Sequence, residues 1–140
     1  MATIREEHKV SIKIKLAGLW TSLMCCFIYA DFFTLFIPGH IEQLIHGHMG
    51  IGDTSPVKLL LISVMMSIPA LMIFLCLVLK SAVNRVVNII AGSLFTLIMI
   101  LTLLNSIDRW MMFYLYFGSV EIIITLTIVV FAFKWTKVSP

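Results

Sequence analysis

An all-α membrane protein, built as an antiparallel four-helix transmembrane bundle with a short external interfacial helix, is the fold class this sequence predicts. Apolar residues fill 61% of its 140 positions and charged ones only 12%, against roughly 45–50% apolar in soluble domains. They gather into four long runs, at about 14–36, 59–79, 86–107 and 111–133. Each is long enough to cross a bilayer, whose core of about 30 Å needs roughly 20 residues rising about 1.5 Å apiece. The connections are short, so residues 1–140 read as one four-span domain with no room for a separate soluble one.

Residues 10–15 (VSIKIK) alternate apolar and basic side chains. They are expected at the lipid surface, with lysines reaching headgroups. The first run is too long for a signal peptide, and no small-residue cleavage site follows it before Pro38, so the span reads as retained. Pro38-Gly39 is expected to end it. In residues 40–48 (HIEQLIHGH), Ile41, Leu44 and Ile45 fall at helical spacing, which predicts the interfacial helix. GIGDTSP follows, with Asp53 or Thr54 as cap of the second span. Pro69 should kink that span, with the Ser67 hydroxyl or water meeting the freed carbonyl. The remaining connections, near 80–85 and 108–110, make successive spans antiparallel neighbours.

Charge sets the orientation. Arg5, Lys9, Lys13, Lys15, Lys80, Arg85, Lys134 and Lys137 lie on one side, and only Lys58 and Arg109 on the other. The positive-inside rule then places both termini in the cytoplasm. Trp110 and Trp135 flank the fourth span as interfacial anchors. The net charge of +3 comes from these span ends. So few basic residues exclude a nucleic-acid partner. Cys25, Cys26 and Cys76 lie inside spans and form no C-x-x-C motif or secreted-type disulfide framework. Nucleophile-elbow motifs, phosphate-cradling glycine loops and paired catalytic carboxylates are missing from the sequence, and no cofactor is implied.

Small and polar residues form a stripe on each span: Gly18, Ser22, Cys25 and Tyr29; Ser63, Ser67 and Ala70; Asn88, Gly92, Met99, Thr102 and Ser106; Tyr114, Gly118, Glu121 and Thr125. Helices in lipid associate through close backbone approach and interhelical hydrogen bonds, so all four stripes are expected to face inward. Glu121 is the least expected residue, about 15 Å from either end of its span. A charge there costs about 2.5–3.5 kcal/mol on insertion scales and calls for a partner, a cavity or water. Glu121, Asp31, Tyr114 and Tyr29 are therefore the candidate ligand or proton site. Asp31 and Arg109 are expected to form an ion pair near the outer surface. In the loop, Glu42 and His46 share a helical face, and His46 and His48 form an H-x-H. These three are weak metal candidates, and no second ligand pair accompanies them.

The runs LW-x-SLM (19–24), YADFFTLFIPGHIEQLIHGHMG (29–50), IPALMIFL (68–75), NRVVNIIAG (84–92), FGSVEIIITL (117–126) and KW (134–135) resemble a family of small bacterial four-span membrane proteins annotated only as a domain of unknown function. The resemblance covers nearly the whole chain. It implies a bacterial inner-membrane protein and draws attention to Asp31, Pro38, Gly39, Glu42, Arg85 and Glu121. More loosely, the layout is similar to DoxX-like proteins and to sterol-isomerase-type bundles.

Three functions follow as expectations. The first is binding or transport of a small cationic or lipophilic solute, with Glu121 as an intramembrane proton or cation site and a homodimer as the working unit. The second is an accessory subunit docking a larger membrane partner. The third is an isomerase or reductase acting on a lipophilic substrate, with Glu121 and Asp31 as acid and base.

Overall fold

The computed structural model describes residues 10–49, 52–107 and 109–135. The chain runs α1 (Ile12–Thr34), α2 (His40–Ile45), β1 (His48–Met49), β2 (Gly52–Asp53), α3 (Pro56–Val78) and α4 (Ser81–Asn105). A 3-10 turn (Arg109–Met111) then leads into α5 (Met112–Phe133). Among the described residues, four helices are long and apolar enough to cross a membrane: α1, α3, α4, and α5 with its preceding turn. The protein is a multi-pass, all-α membrane protein whose surroundings are the lipid bilayer.

Capping chemistry moves several boundaries from their expected places. Ser11 starts α1 by accepting from the Ile14 N–H at 3.4 Å, so Lys13 and Lys15 are helical. The helix stops at Thr34, four residues before Pro38, and Gly39 takes a left-handed φ of 77° ahead of α2. α2 is shorter than expected, and Gly47 (φ 76°) turns the chain into a two-stranded hairpin that pairs His48 with Asp53 and Met49 with Gly52. Neither Asp53 nor Thr54 caps the second span. Ser55 does, accepting from Lys58 N–H at 3.2 Å, with Pro56 in the first turn, where its missing donor costs nothing. α3 continues through Pro69, and the Ser67 hydroxyl bonds Val64 O rather than the carbonyl that Pro69 leaves unpaired.

α1 packs between α3 and α5, and α5 packs along α4. α3 and α4 are joined by only Leu79 and Lys80, yet they touch far less than the other neighbouring pairs. Expected as close antiparallel neighbours, they meet chiefly at the end of the bundle nearest the chain termini. α1 and α4 face each other across the centre, where Trp20 and Phe27 each place a ring 6.1 Å from that of Phe95.

A buried polar cluster ties three helices together at the termini end. Trp20 Nε1–H donates to Asn88 Oδ1 at 2.8 Å, and Cys76 Sγ lies 3.4 Å from the same oxygen. Asn88 Nδ2 donates to the Asn84 carbonyl and side-chain oxygen at 2.9 and 2.7 Å, and Asn84 Nδ2 donates to Cys76 O at 2.5 Å. Two cations close the helix ends beside it. Lys13 Nζ donates to Leu79 O at 2.7 Å, and Arg85 Nη2 donates to Phe133 O at 3.1 Å. Both satisfy carbonyls that a helix C-terminus leaves without partners, at the negative end of its dipole.

The stripes divide. Those of α4 and α5 pack inward: Asn88, Gly92, Met99, Gly118, Glu121 and Thr125 are buried. The Thr96 and Thr125 hydroxyls meet at 2.8 Å across this seam. Those of α1 and α3 face outward. Gly18, Ser22, Cys25, Tyr29, Ser63, Ser67 and Ala70 are all exposed. Ser22, Ser63 and Ser67 satisfy their hydroxyls on carbonyls of their own helices, so they need no interhelical partner.

Two predictions follow from this packing. A Cβ on Gly92 would lie 2.8 Å from Val129 Cγ2 and 3.3 Å from Ile128 Cγ2, whereas one on Gly18 would meet nothing within 4 Å. Both neighbours of Gly92 are β-branched and stiff. Gly92→Ala should lower the thermal midpoint in detergent, while Gly18→Ala should leave it unchanged or raise it, alanine being favoured in helices by about 1 kcal/mol. Asn88→Leu should cost about 1–3 kcal/mol by stranding the Trp20 N–H donor and the Asn84 Oδ1 acceptor. Combining it with Trp20→Phe should cost less than the two single changes summed, as a double-mutant cycle on thermal stability would read.

Candidate functional site

Glu121 lies on the inward face of α5, in register with Gly118 and Thr125. It is 4% exposed. Its Oε1 is wholly enclosed and, among the described residues, has no hydrogen-bond partner. This is unusual, because buried polar atoms are paired in all but a few cases. Gly118 brings the backbone here close to α4, where a Cβ would fall 2.5 Å from Leu103 Cδ2. The carboxyl is thus held in place by packing and left without a donor.

Across from it, α1 supplies Cys26 and Asp31, and α5 itself supplies Tyr114. Glu121 is within electrostatic reach of all three, and Asp31 is within reach of Tyr114. Phe33 packs on Phe113 and Phe117, with ring centroids 6.2 Å away in each case, and so holds α1 against α5 beside these groups. The arrangement gathers two carboxyls and a phenol in the half of the bundle nearest the α2–hairpin loop. Among the described residues, no cation pairs with either carboxyl. Apart from the Tyr114 hydroxyl and the Cys26 thiol, the ionisable groups gathered here are carboxyls, whose oxygens can hold a proton or a cation.

Of the candidate residues, Glu121, Asp31 and Tyr114 lie within electrostatic reach of one another, and Tyr29 faces away. Tyr29 is 55% exposed, on the outward face of α1. Asp31 and Arg109 form no ion pair, a correction to the expected pairing. Asp31 follows Phe27 by four residues and Trp20 by eleven, which puts it on the core-facing side of α1. Arg109 is exposed in the 3-10 turn before α5.

The loop residues do not assemble a metal centre. His46 closes α2 with its backbone N–H on Glu42 O, and His48 Nδ1 lies 2.6 Å from Asp53 Oδ1, paired across the hairpin. Among the described residues, no three of His, Cys, Asp and Glu converge as a metal would need. The cysteines are free, with Cys25 exposed, Cys26 half-buried and Cys76 buried.

Sequence reasoning passed over Trp20 and Asn84. Two signals pointed to them. Trp20 lies well inside its span rather than at the interface, where tryptophan usually sits. Asn84 and Asn88 are four apart, hence on one helical face.

No curated protein and no solved structure matches the chain. Residues 4–139, nearly its whole length, match DUF6326, a family of unknown function, and the chain belongs to that family.

Proposed function

We propose that this membrane protein binds or transports a small cationic or lipophilic solute, with Glu121 as its intramembrane proton or cation site. The observation that carries the proposal is the enclosed Oε1 without a hydrogen-bond donor. A carboxyl serving only to join helices would spend that oxygen on a neighbour, as Thr96 and Thr125 spend theirs. Asp31 and Tyr114 within electrostatic reach add acceptors to the same region. For a protein of this length, a homodimer is the natural transporting unit.

The orientation belongs to the proposal. It places the chain in the cell inner membrane with both termini in the cytoplasm, on the strength of the charge asymmetry. Of the basic residues behind it, Arg5, Lys9 and Lys137 lie outside the described residues. A cysteine replacing exposed Thr54 in the loop should react with an impermeant thiol reagent added to intact cells, and one replacing exposed Ser81 should not. The reverse pattern would invert the topology.

Tetraphenylphosphonium, a lipophilic cation, is a direct probe of the site when the purified protein is held in nanodiscs. Glu121→Gln should weaken its binding by about tenfold or more, equivalent to roughly 1.4 kcal/mol. Protons compete for the same oxygens, so acidification should weaken binding to the wild type and affect the Gln variant, which keeps only the Asp31 carboxyl, markedly less. Equal affinity in both proteins would remove Glu121 from the site. Glu121→Leu should raise the thermal midpoint, because it deletes an unsatisfied buried group that costs about 1–3 kcal/mol. A structural, hydrogen-bonded glutamate would give the opposite sign.

A further inference from the structure

Burial is uneven along the bundle, dense toward the termini and sparse toward the loop. Asp31 is the residue that reveals it. Trp20 and Phe27, on the same face of α1, are 0% and 6% exposed, and Asp31 at the next turn toward the loop is exposed. Ala30 beside it is still only 4% exposed, so the loss of burial is on the side of α1 that carries Asp31. Burial on α3 and α4 thins toward that end as well. On α3 the buried residues are Pro69, Met72 and Cys76, all in its half nearest the termini. On α4 they end at Met99. α2 buries none of its residues.

On the other side of Glu121 the packing is complete. Leu16, Trp20, Leu23, Cys76, Asn84, Asn88, Phe95, Thr125, Ile128 and Ala132 have no exposed surface, and all lie between the level of Glu121 and the termini. The Trp20–Asn88–Asn84–Cys76 cluster seals the centre of that half.

We infer that Glu121 is reached from the loop face, through an opening whose rim carries Asp31, and that this opening admits small cations. The inference rests on the reading of Glu121 as an ion-binding carboxyl and adds to it a route and a residue that sets the charge of what enters. Three features act together. The enclosed, donorless oxygen of Glu121 is the destination. Asp31 lies within its electrostatic reach, on the inward face of α1. An acidic rim on a narrow opening in low dielectric concentrates cations and repels anions. Trp20 and the asparagine cluster form the closed side, so passage to the termini face requires that cluster to separate.

Thiol accessibility tests the route without any ligand. In a background with Cys25, Cys26 and Cys76 replaced, single cysteines are placed at Glu121 and Ile128. Proteoliposomes are then treated from each side with charged, impermeant methanethiosulfonates, one cationic and one anionic. Glu121→Cys should react from the loop side and not from the termini side. Ile128→Cys should react from neither until the protein is unfolded. The cationic reagent should modify Glu121→Cys faster than the anionic one, and adding Asp31→Asn should abolish that preference. Reaction of Glu121→Cys from the termini side, or no reaction from the loop side, overturns the route. A charge preference that survives Asp31→Asn overturns the role of Asp31. Loss of tetraphenylphosphonium affinity in Glu121→Gln is read separately, so the site and its route can fail independently. Size-exclusion profiles matching the parent protein confirm that each variant is folded.

Discussion

The amide of Asn88 uses its full hydrogen-bonding capacity on three helices at once, and the order of the whole termini end depends on it. Its oxygen accepts from Trp20 on α1 and contacts Cys76 on α3, while its two N–H groups reach Asn84 on its own helix. Trp20 carries only a donor, so the amide has one workable orientation. In a hydrocarbon surrounding, no water competes for these groups, and the penalty for separating them is the cost of leaving each unmade. α3 and α4 meet at this cluster and touch little elsewhere, and α1 reaches α4 through it.

A protein held firmly at one end tolerates a poor interaction at the other. The donorless carboxyl of Glu121 is such an interaction, as is the exposed carboxylate of Asp31 on a stripe that is otherwise core. Local consistency between sequence and structure is broken at both residues. Breaks of that kind concentrate where a molecule binds or moves something.

The class of fold, the four spans and the inward position of Glu121 were legible in the sequence, because length, hydropathy and the insertion cost of a charge act directly on sequence. The direction of the small-residue stripes was legible for only half of them. Periodicity says which residues share a face, and burial of Gly92 and Gly118 follows from the helix contact they permit. Ser63 and Ser67 share a face equally well, yet each hydroxyl is satisfied within α3, so nothing turns it inward. The Asp31–Arg109 pairing failed for a related reason. Proximity to the same membrane surface does not fix rotation about a helix axis, and Asp31 is rotated toward the core. Trp20 was hidden because an apolar residue in an apolar run draws no notice until its one N–H needs an acceptor.

The clamps at the helix ends carry a consequence for the order of assembly. Lys13 waits for carbonyls 64 and 66 residues further along the chain, and Arg85 for one 48 residues further. A ribosome delivers the cation first and its acceptor last. Until then each side chain lacks the carbonyl it holds in the folded protein. Only when α3 and later α5 reach the same level does it turn to a carbonyl. The two residues thus act as latches between segments far apart in sequence, and the α5 latch closes only when the last span is in place.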